Sequence, residues 1–128
     1  MEKSLLLVGV GGQGTILVSK IISEGLLNNG YDVKMSEIHG MAQRGGSVTT
    51  QIKFGEKVYT SSIDEGEADV LIAFEKVEAA RHIKQLKKGG TLVVNDEEMY
   101  PLPVLAGLEE YPSNVIEELK DKIENAKI

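Results

Sequence analysis

The chain has 128 residues, enough for one domain with a real core, and its 41% hydrophobic and 27% charged residues are ordinary for a globular protein. A formal net charge of -6 sets the surface against phosphate backbones and anionic headgroups, so neither nucleic acid nor membrane is an expected partner. There are no cysteines, which excludes disulfides and thiolate-held iron–sulfur clusters; with His39 and His82 as the two histidines, structural zinc is not expected either.

No apolar run is long enough to span a bilayer. The run Leu5-Leu6-Leu7-Val8 is short and enters a glycine loop, so it is read as a strand buried on both faces and not as a leader; the chain is expected to be cytoplasmic. Thr15 to Asn29 is predicted helical, with Ile16, Leu17, Ile21, Ile22 and Leu26 as its buried stripe and Gly30 as a left-handed stop. Tyr31 to Ile38 is the second strand, which completes a strand–helix–strand unit of the parallel kind. Ser47 to Phe54 and Lys57 to Thr60 read as two strands of a hairpin turning at Gly55-Glu56.

After an acidic turn at Asp64-Glu65-Gly66-Glu67, Val70 to Phe74 is a further buried strand. Lys76 to Leu86 is helical, closed by lysines and Gly89-Gly90, and Thr91 to Val94 is the next strand. Glu75, Lys76, Glu78, Arg81, Lys84, Lys87 and Lys88 are read as the wet face and cationic end of that helix, with His82 exposed among them. Pro101, Pro103, Gly107 and Pro112 punctuate the following stretch, and Ser113 or Asn114 is expected to cap a last helix running to about Ala126. The alternation predicts an α/β domain: a three-layer Rossmann-like sandwich on a mostly parallel sheet, with a hairpin near residues 47–60.

Two segments carry chemistry. Gly9, Gly11 and Gly14 fit the pattern G-x-G-x-x-G between a strand and a helix, so Gly9, Gly11, Gly12, Gln13 and Gly14 are candidate binding residues. Glycines there allow a tight turn and a close approach, and the helix start offers N–H groups to a phosphate. The other role open to them is close packing of helix on strand. Glu37 is suited to a ribose hydroxyl, which makes an autonomous NAD- or FAD-binding protein the alternative reading, though a solvated acid at a strand end is the commoner role for such a residue. The loop is not a P-loop, because Thr15-Ile16 stands where Lys-Ser/Thr is needed.

The second segment, His39-Gly40-Met41-Ala42-Gln43-Arg44-Gly45-Gly46, falls at the carboxyl end of a predicted strand, where open α/β sheets bind ligands. Arg44 is suited to clamp a carboxylate or phosphate, and His39 to exchange a proton near neutral pH. A structural role, with Arg44 in an ion pair and His39 on a carbonyl, is the plainer assignment for His39 alone. As a unit the loop, with His39, Arg44, Gly45 and Gly46, is read as an interaction site.

The glycine loop Gly9 to Gly14, together with Ser36 to Ser47, resembles the gamma-type domain of 2-oxoacid:ferredoxin oxidoreductases. Within that family the His39 to Gly46 wording is similar to the beta-subunit group of indolepyruvate oxidoreductases. The similarity continues through Phe54 to Tyr59, Gly66 to Leu71 and Lys88 to Thr91, and covers about Leu5 to Asp96. The resemblance implies a subunit of a complex that converts an aryl 2-oxoacid and CoA to acyl-CoA, CO2 and reduced ferredoxin. It further implies that thiamine diphosphate, magnesium and iron–sulfur clusters sit on a large partner subunit, in a hetero-oligomer that ferredoxin meets as a whole. On this basis no residue of the chain is a catalytic nucleophile, the chain alone is expected to be inactive and to hold no cofactor or metal, and the two glycine segments lie nearest the chemistry. Residues 1–128 are expected to be a single gamma-type domain that stops short of the usual C-terminal length of the family.

Overall fold

The computed structural model describes residues 2–11, 14–39, 46–96 and 113–128. The elements run β1 (Lys3–Val10), α1 (Thr15–Asn28), β2 (Asp32–His39), β3 (Ser47–Gly55), β4 (Ala68–Ala73), α2 (Lys76–His82), β5 (Leu86–Val94), α3 (Val115–Lys122) and β6 (Asn125–Lys127), with a short 3-10 turn at Ile83–Gln85. The strands form a six-stranded sheet in the order β2-β3-β1-β4-β5-β6. β4 pairs parallel with β1 and β5, and β6 parallel with β5, while β3 runs antiparallel to both β1 and β2. The expected α/β architecture with a mostly parallel sheet is therefore present, and β3 is the strand that makes it mixed.

The antiparallel element differs from the expected hairpin. Residues 57–60 form no strand. The antiparallel partner of β3 is β2, with Asp32 opposite Gly55 and His39 opposite Val48. The segment after Gly55 instead returns across the sheet, held where Val58 N donates to Asp32 Oδ2 (2.8 Å) and Ile63 N to Gln51 Oε1 (2.6 Å). Val58 and Ile63 are buried by this path, and burying them outweighs the alternation that suggested a strand. The amide of Val58 and the ammonium of Lys34 hold the Asp32 carboxyl below its ordinary value of 3.8.

Strand parity sorts the layers. Ser47 lies opposite Val10, and its hydroxyl meets Glu78 on α2; Met35 lies opposite Ile52, and its sulfur accepts from Ser23 on α1 at 3.4 Å. These residues fall on opposite sides of the pleat, so α1 covers one face and α2 the other. The α2 side is the main core: Leu6, Val8, Leu71, Ala73, Leu92 and Val94 from the sheet against Ala79, Val115 and Leu119.

The predicted stripe of α1 is largely inverted. Thr15, Ser19 and Ser23 are the buried residues, flanked by half-buried Val18, Ile22 and Leu26, whereas Ile16, Leu17 and Ile21 are exposed. Small side chains let the helix lie close on the buried β3 residues Val48, Thr50 and Ile52, which leaves no room for a leucine facing the sheet. The helix stops as foreseen: Gly30 takes φ +87, Gly30 N donates to the Leu27 carbonyl and Tyr31 N to the Leu26 carbonyl.

Gly89 and Gly90 do not close α2. They lie inside β5, where the pairing shifts register between Ala68/Leu86 and Val70/Thr91. A Cβ at Gly90 would meet Leu86 Cδ1 at 2.8 Å and the Lys87 carbonyl at 2.9 Å, so the irregular strand requires glycine there. At the C-terminus the last helix ends at Lys122; of the residues expected to continue it, Ile123 and Glu124 form the connection and Asn125 and Ala126 belong to β6. Its N-cap is Asn114, in left-handed conformation.

Candidate functional site

The strand order places a topological switch between β1 and β4. The chain leaves β1 into α1 on one face, and leaves β4 into α2 on the other. The connections diverge there, and such a point is where open α/β sheets leave a crevice beyond their carboxyl ends. Gly9 and Gly11 mark the exit of β1, while Phe74 and Glu75 mark the exit of β4, tied together by the Phe74 N bond to the Val8 carbonyl at 2.9 Å.

The two segments singled out in sequence converge at this edge. Gly9 pairs with Val48 and Val10 with Ser47, and Gly11 N donates to the Gly46 carbonyl at 3.0 Å. The far end of the second segment, His39, pairs with Val48 from the other side. The glycine loop and both ends of the His39 to Gly46 segment thus lie along one rim of the sheet. Gly12, Gln13, Arg44 and Gly45 lie outside the described residues.

Gly14 caps α1 in left-handed conformation, φ +82 and ψ 13, with no side-chain cap bond. Its carbonyl accepts from Val18 N at 3.1 Å, which starts the helix. A side chain at φ +82 would be strained, so glycine is required here by backbone geometry before any ligand is considered. The hydroxyl of Thr15, one residue on, is buried with no hydrogen-bond partner among the described residues.

His39 is more than half exposed, and its Nε2 lies 3.6 Å from Glu37 Oε2. Glu37 is thus engaged by its neighbour on the outer strand. β3 stands between that strand and β1, which puts Glu37 roughly 9–10 Å across the sheet from the glycine loop at the usual strand spacing. A ribose-binding acid of the dinucleotide type belongs on the strand next to β1.

Glu75 and Glu78 correct the reading of α2 as a helix with a wet acidic face. Glu75 is 1% exposed and Glu78 is 4% exposed. Glu75 is the N-cap, and its Oε1 accepts from Glu78 N at 2.9 Å. Glu78 accepts from the Ser47 hydroxyl through Oε1; its Oε2 has no hydrogen-bond partner among the described residues and lies 3.9 Å from Arg81 Nε. His82 is half-buried and meets Gln85 at 3.0 Å. The Glu-x-x-Glu spacing at a helix start was the available signal, since an acid at the cap position binds the amide three residues on. Ser47 gave no signal beyond ending the glycine segment. Among the described residues no group of three His, Cys, Asp or Glu is placed to hold a metal ion.

The profile of the pyruvate ferredoxin/flavodoxin oxidoreductase family matches residues 4–125. The chain belongs to this family. Among curated relatives, the indolepyruvate oxidoreductase subunit IorB of Pyrococcus horikoshii is 43% identical over 96% of this chain, and that of Thermococcus kodakarensis is 42% identical over the same share. The chain spans 60% of the length of each of these two relatives. A more distant relative, 2-oxoglutarate synthase subunit KorC of Methanothermobacter marburgensis, is 27% identical over 76% of this chain and 52% of its own length.

Solved structures agree with this family membership. The gamma subunit of a keto/oxoacid ferredoxin oxidoreductase from Geobacter sulfurreducens superposes with a TM-score of 0.60 at 25% identity, covering 73% of this chain and 50% of that one. The fold also recurs within 2-oxoglutarate:ferredoxin oxidoreductase from Magnetococcus marinus, with a TM-score of 0.65 at 19% identity over 88% of this chain and 18% of that one.

Proposed function

We propose that this chain is the gamma-type part of a ferredoxin-dependent oxidoreductase that oxidises an aryl 2-oxoacid such as indolepyruvate, with CoA, to acyl-CoA and CO2. The observation that carries the reading is the 42–43% identity to curated indolepyruvate oxidoreductase subunits across nearly the whole chain. The meeting of the two glycine segments at the switch-point rim supports it, because a backbone-lined, glycine-rich edge is suited to an anionic co-substrate such as CoA. In this reading Gly9, Gly11, Gly12, Gln13 and Gly14 line the rim, and Arg44 with Gly45 and Gly46 meets the anion, with His39 at the margin.

The electron-transfer groups belong elsewhere in the complex. With no cysteine, the chain has no thiolate for an iron–sulfur cluster. Thiamine diphosphate, magnesium and the clusters are assigned to a large partner subunit, and ferredoxin to the assembled complex. The separation of Glu37 from the glycine loop, and its pairing with His39, weigh against the dinucleotide alternative.

The test is capture of the chain from its native host, followed by assay of the eluate for iron and for indolepyruvate- and CoA-dependent reduction of an artificial electron acceptor. Co-purification of a large iron-containing chain with that activity is the expected result. An iron-free chain that instead binds NAD(H) or FAD at millimolar concentration would sink the reading.

A further inference from the structure

The outer face of α1 is apolar and carries no cover among the described residues. Leu17 is 63% exposed, Ile21 62% and Leu27 56%. A helix that turns Thr15, Ser19 and Ser23 toward its own sheet and Leu17, Ile21 and Leu27 outward is one whose outer side is made to be buried too. Lys20 and Glu24 lie one turn apart on this side, and neither forms an ion pair among the described residues. Gly25 lies beside them, and a Cβ there would meet nothing within 4 Å. Among the described residues no contact requires that glycine, although it weakens a helix relative to alanine.

The pattern is complementary to itself. Lys20 stands two residues before Ile22 and Glu24 two after; Leu17 stands five before and Leu27 five after. At 3.6 residues per turn, Leu17, Lys20, Ile21, Glu24 and Leu27 fall on one outward arc of about a third of a turn. A purely basic or purely acidic partner would match one of the two charges and be repelled by the other. An antiparallel copy of the same helix satisfies both at once, as a two-fold interface demands.

We propose that α1 is a dimerisation helix, on which a second copy of this chain lays its own α1 antiparallel. Lys20 of each protomer faces Glu24 of the other, Leu17 faces Leu27, and Ile21 packs near the two-fold axis where Gly25 admits a close backbone approach. This interface stands on the geometry of α1 alone and does not depend on the proposed activity.

The experiment is sedimentation equilibrium of the 128-residue chain as wild type, as Lys20→Glu, and as the swap Lys20→Glu with Glu24→Lys. Circular dichroism confirms that the surface variants fold. The wild type is expected to be a dimer at micromolar concentration. The single variant weakens it about tenfold or more by setting like charges together twice, and the swap restores it. A wild type that stays monomeric, a dimer indifferent to Lys20→Glu, or a loss that the swap does not recover would each overturn the proposal. Any of these results would leave the α1 face to a different polypeptide surface.

Discussion

Ser47 donates its hydroxyl hydrogen to Glu78, joining the first residue of β3 to the first turn of α2 across the switch-point rim. The bond does not act alone. Gly46, just before Ser47, accepts from Gly11 at the exit of β1, while Glu75 caps the turn that carries Glu78. The end of the His39 to Gly46 segment is therefore fixed to both flanks of the switch, to β1 through the backbone and to α2 through a buried carboxylate.

Removing the donor should be costly. Ser47→Ala leaves Glu78 buried with neither oxygen hydrogen-bonded, and a buried acceptor that loses its partner costs about 1–3 kcal/mol. Urea denaturation is expected to show a loss of that size. Glu78→Gln keeps an oxygen for Ser47 and should lose less than Glu78→Ala. If all three variants match the wild type, the bond contributes nothing to the fold.

Much of this was legible in the sequence, for definite reasons. The run Leu5 to Val8, the stop at Gly30 and the glycine loop are local signals, and each is where the pattern put it. The failures are non-local. Whether Leu17 or Ser19 faces the sheet depends on how closely the helix must approach β3, which no window of α1 contains. Residues 57–60 alternate like a strand, but the free edge they would need is taken by β2 and β1 on the two sides of β3. Glu75 and Glu78 look solvated because acids on helices mostly are; Glu78 is met in its buried position by Ser47, 31 residues away.

The inversion of α1 gives a second prediction. Ser19 is fully buried and donates its hydroxyl to the Ile16 carbonyl at 2.7 Å. Ser19→Leu forces a larger side chain between helix and sheet and should destabilise by about 1–3 kcal/mol. Leu17→Ser on the outer side should change the stability of the monomer by about 0.5 kcal/mol or less. Thermal melts at low protein concentration check the order. The opposite ranking would restore the stripe of Ile16, Leu17 and Ile21 as the sheet-facing side.

Asp32 supplies a pH dependence with a defined sign. Its folded-state pKa is depressed, chiefly by the Val58 amide and then by Lys34, below the ordinary 3.8. A depressed carboxyl binds fewer protons folded than unfolded, so its stabilisation is fully present above the unfolded value and is lost as pH falls through the folded one. The wild type should therefore lose stability more steeply than Asp32→Asn as pH falls below about 4. Equal slopes in acid denaturation followed by circular dichroism would mean that the bond to the 56–67 segment carries no charge-dependent part.

Arg44 offers the sharpest separation between a binding role and an assembly role for the His39 to Gly46 segment. If its guanidinium meets an anionic group of CoA, Arg44→Ala should raise the KM for CoA about ten- to hundredfold, the scale of a charge-assisted hydrogen bond of about 1.5–3 kcal/mol. kcat at saturating CoA should change little, because the contact is made before and during reaction alike. Arg44→Lys keeps the charge but loses the planar fork, and should recover part of the loss. The measurement is steady-state kinetics on the assembled complex, with subunit ratio checked by size exclusion. A complex that falls apart in Arg44→Ala, while the fraction remaining assembled keeps its KM for CoA, would move Arg44 from the co-substrate to the subunit contact. The proposed rim would then rest on the glycine loop alone.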